Sequence, residues 1–304
     1  MGGRQPVTYA YLETTNFCNI DCRFCNRRDV VRQPRHMGLK EWDIVLDKLS
    51  SEPIREAKLM GLGEPFLHPE FHKICRRFKE TFPEAFTITA TNCQHGLNGN
   101  FIKALPFIGL LYLSVDGHAE NYERERRGAR WARLLRFLDG LSAVDRGQTR
   151  MAINFVVTDR NCRDIEKINL LVRERYPWIE EVRLNIAQWW GEGQDIRVEF
   201  TENLYETLIR YKTNVKGKAP WDFHDCFWPR SGFYMDVNGD VRICCLNTSS
   251  SPVGNIFRSS LDELLGSPKR LQVAEECRLD SPGVHCRRCD YKKLSSVLER
   301  IFRE

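Results

Sequence analysis

The sequence predicts an α/β fold: a partial, TIM-like (β/α)6 barrel open on one side, followed by a small α+β extension made of a β-hairpin and a helix. Three observations predict it. Short β-like apolar runs alternate with stretches of helical spacing from Thr8 to Tyr211, the pattern of parallel strands joined by helices. Several strands run out into Gly, Glu, Asp or Asn, as strands do at the functional rim of a β/α barrel. After Thr213 to Pro220, which contains Gly217 and Pro220, the pattern changes to alternating apolar residues around Asn238-Gly239, a hairpin signal. The expected domains are therefore 1–212 and 213–304.

The first strand is Thr8-Tyr9-Ala10-Tyr11-Leu12-Glu13. Leu39, Trp42, Val45, Leu46 and Leu49 then recur at helical spacing. Glu56-Ala57-Lys58-Leu59-Met60 is the second strand and runs into Gly61-Leu62-Gly63-Glu64-Pro65. Pro69 to Thr81 reads as a helix, Phe86 to Ala90 as a strand ending in Thr91-Asn92-Cys93, and Asn100 to Leu105 as a short helix. The apolar run from Leu110 closes on Ser114-Val115-Asp116-Gly117. Helix Trp131 to Leu141, strand Met151 to Thr158, helix Asp164 to Arg175, strand Glu181 to Ile186 and helix Asn203 to Tyr211 complete the series. Such crossovers are right-handed. Trp189 and Trp190, just past the sixth strand, are expected on the rim as a substrate wall or lid, or packed against the extension.

A chain of 304 residues with 42% hydrophobic and 29% charged residues can bury a sizeable core. No apolar run approaches a membrane span, and the polar start does not read as a signal peptide. Twelve cysteines without an export signal point to metal sites in a reducing, cytoplasmic compartment rather than to disulfides. The net charge of +5 is modest, and basic runs such as Arg124 to Arg130 are interspersed with acids, which reads as solvated surface. Nucleic acid is not an expected partner.

The chemistry is concentrated in Cys18-Asn19-Ile20-Asp21-Cys22-Arg23-Phe24-Cys25, a C-x3-C-x2-C loop directly after the first strand. Three thiols on one loop can hold three corners of a cubane iron–sulfur cluster and leave the fourth iron open. Structural zinc wants four ligands, and the nearest histidine is His36. In Gly61-Leu62-Gly63-Glu64, two glycines let backbone approach a ligand closely, and Glu64 supplies a carboxylate at a strand's end.

These segments together resemble the radical S-adenosylmethionine (SAM) superfamily. The resemblance implies that Cys18, Cys22 and Cys25 bind a [4Fe–4S] cluster whose open iron chelates SAM, which is then cleaved to methionine and a 5′-deoxyadenosyl radical. Gly61, Gly63 and Glu64 stand where the family has its Gly-Gly-Glu motif, which holds the methionine amino group, with Leu62 in place of a glycine. The resemblance also makes Ser114, Asp116 and Asn154 candidate ribose, nucleoside or substrate contacts, and implies a flavodoxin- or ferredoxin-type electron donor. His68, in the continuation Phe66-Leu67-His68-Pro69, is expected to be a structural loop residue.

Thiols return as Cys226, Cys244-Cys245, Cys277 and Cys286-Arg287-Arg288-Cys289. A hairpin between Cys226 and Cys244 would bring those two together, and the C-x2-C turn could complete a four-thiolate site for zinc or for a cluster. The region resembles the extension called SPASM, or its shorter form called twitch, which binds auxiliary [4Fe–4S] clusters; Gly254-Asn255-Ile256 and Ser260 to Leu265 fit its strand-turn-helix. The chain stops fifteen residues past Cys289, so one auxiliary cluster is expected, on Cys226, Cys244, Cys286 and Cys289. Cys277 either replaces one of these or is simply buried.

Two fates of a substrate radical fit. An epimerase returns a hydrogen atom from a thiol to the opposite face, for which Cys245, adjacent to a cluster ligand, and Cys93, where the family has glycine, are the candidates. A dehydrogenase passes an electron to the auxiliary cluster. Only 17 residues precede Cys18, so a leader-binding domain is not expected and large peptide maturases are disfavoured. The expectation is epimerisation of a small polar substrate, an aminosugar, aminoglycoside or cyclitol of natural-product biosynthesis. Dehydrogenation, small-peptide epimerisation and a non-catalytic cluster protein are the alternatives. Rim acids, among them Asp116, Glu192 and Asp222, would suit a polycationic or polyhydroxylated ligand.

Overall fold

The computed structural model describes residues 4–31, 33–187, 201–215, 226–245, 250–277, 286 and 300–303. Trp189, Trp190, Glu192, Asp222 and Cys289 lie outside the described residues. The elements run β1 (Tyr9–Leu12), β2 (Asp21–Cys22), α1 (Arg27–Val30), α2 (Leu39–Leu49), β3 (Glu56–Lys58), α3 (Phe71–Thr81), β4 (Phe86–Thr91), α4 (Gly99–Ala104), β5 (Leu110–Ser114), α5 (Glu120–Glu125) and β6 (Arg126–Arg127). They continue with α6 (Trp131–Ser142), β7 (Arg150–Val157), α7 (Ile165–Arg175), β8 (Glu181–Ile186), α8 (Glu202–Arg210), α9 (Trp228–Ser231), β9 (Gly232–Met235), β10 (Asp240–Arg242), β11 (Gly254–Asn255), α10 (Leu261–Leu265) and α11 (Pro268–Glu276).

Among the described residues, nine strands form one sheet in the order β11-β10-β9-β1-β3-β4-β5-β7-β8. The six from β1 to β8 are parallel, with registers such as Ala10↔Ala57, Lys58↔Ile88 and Ser114↔Asn154. This is the expected partial barrel, and the order ends in separate edges rather than closing. The hairpin of the extension joins the same sheet: β9 pairs parallel with β1, Tyr11 opposite Tyr234, and β10 and β11 follow antiparallel.

Side-chain alternation builds two faces. Ala10, Leu12, Ala57, Leu111, Leu113, Ile153, Phe155 and Leu184 belong to the main core with the buried faces of the helices, for example Trp42, Val45, Leu46 and Leu49 of α2. Alternate residues face the concave side, where Ile88, Leu110, Tyr112 and Ala152 make a small second cluster. In the extension, Ser260 caps α10 reciprocally with Glu263: Ser260 N donates to Glu263 Oε2 at 2.7 Å, and Glu263 N donates to Ser260 Oγ at 3.3 Å. No helix among the described residues is long and apolar enough to cross a membrane.

The charged stretch Arg124 to Arg130 is exposed at Arg124, Arg127 and Arg130, as expected, but it forms the end of α5 and β6, and Glu125 and Arg126 within it are buried. The reason is a two-residue ladder, Asp21↔Arg127 and Cys22↔Arg126, that seats this segment on the N-terminal thiol loop.

Candidate active site

The loop carrying Cys18, Cys22 and Cys25 is held from several sides. The β2–β6 ladder fixes Cys22, Arg23 N donates to Glu125 O at 2.9 Å, and Cys25 N donates to Cys22 O at 3.1 Å. Asn92, just past β4, donates from Nδ2 to Asn19 Oδ1 at 2.8 Å and reaches Cys18 Sγ at 3.7 Å. Burial pushes all three thiols up, Cys25 to about 11. Cys18 and Cys25 lie near enough to Cys22 to add to its rise, and the Arg126 guanidinium opposes it.

This geometry fits a cluster. Cys18, Cys22 and Cys25 lie near enough to act on one another, and three thiols on one loop can each take a separate iron of a cubane. Arg126 is 6% exposed, and its Nε has no hydrogen-bond partner among the described residues. A buried cation with an orphaned donor beside three thiols suits an anionic group there.

Gly61, Gly63 and Glu64 sit next to this loop because β1 and β3 are neighbours. Their glycines answer to the chain itself: a Cβ on Gly61 would stand 2.2 Å from Glu13 Oε2, and one on Gly63 would stand 2.4 Å from Thr15 O. The intervening Leu62 N donates to Glu13 Oε2 at 2.7 Å. Glu64 N donates to Phe17 O at 2.8 Å, and its buried carboxylate accepts from Asn92 N at 2.6 Å and Phe66 N at 3.3 Å. His68 is buried, with Nε2 against Met37 O at 2.8 Å and Nδ1 accepting from Glu70 N at 3.0 Å.

Ser114 and Asn154 stand side by side in register on the concave face, and Asn185 Nδ2 bonds Asn154 Oδ1. Asp116 is placed differently from a rim acid. It is 0% exposed, its Oδ2 is ion-paired with Arg126 and its Oδ1 accepts from Val156 N at 2.6 Å. The physical reason is that a carboxylate at the end of β5 meets the buried Arg126 of β6, so its charge is spent inside the protein. Asp116 is not an open charge for a polycation, and it bears on the thiol loop through Arg126.

The concave wall is rich in tyrosine. Lys58 Nζ lies 5.6 Å and 5.7 Å from the Tyr9 and Tyr11 ring centroids, and Arg183 stacks on Tyr112 while pairing with Glu181. Burial, and after it the Cys245 thiol, push the Tyr11 hydroxyl up, and the same thiol acts on Tyr9 and Tyr234. Cys245 is therefore near these three rings. Cys93 is fully buried in a left-handed conformation, φ 58°, where glycine is the easy residue, and its thiol reaches Thr91 O at 3.7 Å.

In the extension, Cys226, Cys277 and Cys286 pack around Ile243 and Val273, Cys277 and Cys244 both raise the Cys226 thiol, and Cys277 Sγ is 3.2 Å from Cys286 Sγ. The fold thus brings together Cys226, Cys244, Cys277 and Cys286.

Sequence reasoning missed Arg126, hidden in a charged run, and Glu13. The Glu13 carboxylate is 1% exposed and is raised to about 7 by burial, while Leu62 N and Val237 N oppose the rise. A carboxylate closing the first strand was the available signal.

Comparison with known proteins agrees with this arrangement. The radical SAM superfamily model matches residues 12–168, and that of SPASM, an iron–sulfur cluster-binding domain, matches residues 226–290. Similar curated proteins include a GTP 3′,8-cyclase of Brucella abortus (strain S19), 25% identical over 282 residues that span 90% of this chain and 73% of the relative. A second, from Pseudomonas fluorescens (strain Pf0-1), is 24% identical over 302 residues, 90% of this chain and 88% of the relative. Among solved structures, Streptococcus suis SuiB bound to precursor peptide SuiA aligns with a TM-score of 0.72 at 16% identity, over 95% of this chain and 71% of SuiB. Native anSMEcpe with bound AdoMet and Cp18Cys peptide gives 0.67 at 15% identity, over 97% and 96%. BtrN in complex with AdoMet and 2-DOIA gives 0.56 at 14% identity, over 91% and 89%. At such identities the structures speak for the fold alone. With more than half its length matched by the superfamily model and the thiol loop built as described, this chain belongs to the radical SAM superfamily and carries a C-terminal SPASM domain.

Proposed function

We propose that this protein abstracts a hydrogen atom from a C–H bond of a small, polar, hydroxyl- or amine-bearing substrate and epimerises that carbon, with Cys245 as the hydrogen donor. The [4Fe–4S] cluster and SAM, when bound, supply the 5′-deoxyadenosyl radical that takes the first hydrogen. Cys18, Cys22 and Cys25 hold that cluster. The backbone of Gly61 to Glu64 receives the methionine amino group, and Ser114, Asn154 and the Asp116–Arg126 pair shape the side where the nucleoside lies. The barrel spans 1–212 and the auxiliary region 213–304, with a second cluster on Cys226, Cys244, Cys286 and a fourth thiol, Cys289 or Cys277.

The observation that carries this reading is the position of Cys245. Its thiol is near enough to Tyr9, Tyr11 and Tyr234 to add to the rise of their hydroxyls, which supports a hydrogen donor beside these rings. Transfer of its S–H hydrogen to the substrate radical leaves a thiyl, which one electron and one proton from the external reductant and water restore. The wall offers tyrosines and charge in both signs, Arg183 being paired with Glu181, which suits a polyhydroxylated molecule better than a polyanion such as GTP.

Dehydrogenation is the second reading, favoured by the thiol set that includes Cys244 beside Cys245. Turnover in D2O separates the two. Deuterium at the reacting carbon supports the thiol route, and a ketone product refutes it. Cys245→Ala should keep forming 5′-deoxyadenosine without epimer, and Cys93→Ala should keep both. Loss of epimer only in Cys93→Ala would transfer the role to Cys93.

A further inference from the structure

Asn92, just past β4, is buried and fixed through every polar group it has. Its backbone N–H donates to Glu64 Oε2 at 2.6 Å, and its carbonyl accepts from the Tyr122 hydroxyl at 3.3 Å. Its side-chain Oδ1 accepts from Gln94 N at 2.8 Å, which closes an Asx turn. Nδ2 is then the donor end, with two hydrogens to place. One goes to Asn19 Oδ1 at 2.8 Å, while Asn19 Nδ2 donates to Gln94 O at 3.1 Å. Neither amide can be reversed without losing two bonds, so the orientation of both is determined. The second hydrogen of Asn92 has Cys18 Sγ as its acceptor, at 3.7 Å.

The turn itself needs only an oxygen at this position, which a serine would supply. What the amide adds is a donor to one sulfur of the N-terminal thiol loop. Such a donor bears on an iron–sulfur cluster through charge. Reduction by one electron from an external donor adds one negative charge, shared by the sulfurs, with no bond or proton exchanged. An N–H at a thiolate sulfur stabilises that more negative form more than the oxidised one, and so raises the reduction potential.

We propose that Asn92 is a positioning residue that acts through Cys18: its Nδ2–H holds that thiolate and sets the reduction potential of the N-terminal cluster above the value the loop alone would give. The assignment rests on the loop of Cys18, Cys22 and Cys25 holding a cluster.

The test is an anaerobic potentiometric titration of the reconstituted full chain, followed by EPR, with iron per chain and circular dichroism as checks. The part of the reduced signal that Cys22→Ala removes belongs to the N-terminal cluster. In Asn92→Ser, which keeps the turn but is too short to reach Cys18, that signal should remain. Its reduction should become about tenfold less favourable, a midpoint about 59 mV more negative for a one-electron couple. Electron–nuclear double resonance should also lose one proton coupling that exchanges in D2O. Asn19→Ala, which removes only the neighbouring acceptor, should keep that coupling and shift the midpoint less. An Asn92→Ser protein with full iron and the wild-type midpoint would overturn the proposal and leave the cluster reading intact. So would an equal shift in Asn19→Ala. Loss of the N-terminal cluster from both Asn92→Ser and Asn92→Ala would make Asn92 a prop of the loop and overturn it too. A folded wild type whose iron and signal are unchanged by Cys22→Ala would instead overturn the cluster reading, and the proposal with it.

Discussion

Replacing Glu13 by Gln tests whether the carboxylate between β1, the Gly61 to Glu64 segment and the hairpin is as enclosed as the structure shows. Its ordinary value of 4.5 is raised to about 7, first by burial, with Asp236 adding to the rise and Leu62 N and Val237 N opposing it. An acid that holds its proton more tightly when folded favours folding fully below 4.5 and loses that contribution as pH rises through about 7. At about 1.4 kcal/mol per tenfold change in proton affinity, the whole loss is roughly 3 kcal/mol, of which roughly 2 falls between pH 5.5 and 8. Gln keeps the shape and has no charge to desolvate. We therefore expect the wild type to lose several degrees of thermal midpoint relative to Glu13→Gln between pH 5.5 and 8. The assay is paired melts of fully reconstituted proteins under anaerobic conditions across that range. Midpoints that run parallel would refute the enclosed, proton-holding carboxylate.

Three further outcomes are expected. Gly63→Ala should abolish SAM-dependent formation of 5′-deoxyadenosine, because its Cβ would stand 2.4 Å from Thr15 O and 2.8 Å from Phe17 O and displace the segment; isothermal titration with SAM should show the matching loss of affinity. Asp116→Asn removes one partner of a buried ion pair and should cost about 3 kcal/mol in denaturant melts, with the Cys18 loop more exposed to hydrogen exchange. Ser260→Ala should cost about 1 kcal/mol through loss of the α10 cap and leave SAM cleavage unchanged.

Much of the barrel was legible because each strand has a local signature. Tyr9 to Leu12 alternates, the Leu110 run is continuously apolar, and α2 has helical spacing over Leu39 to Leu49. What stayed hidden depends on distant partners. The β2–β6 ladder joins residues about a hundred positions apart, and two residues carry no strand signal of their own. Arg126 reads locally as one charge among many; only the end of β5 and the thiol loop, folded beside it, bury it. Gly61 and Gly63 were legible as close-approach positions, but the sequence could not show that Glu13 and Thr15 are among the groups they approach. Cys277 was ambiguous because a thiol set drawn from separated segments has no diagnostic spacing.

The parallel pairing of β1 with β9 makes the amino-terminal strand an interior rib, flanked by β3 on one side and β9 on the other. The spacing between the two groups of cysteines is thereby set by backbone ladders. Amputating the segment after Val215 would strip β1 of a neighbour and lay open a raw sheet margin, inviting chains to associate edge to edge. The two cysteine-bearing regions are built to be kept, or lost, together.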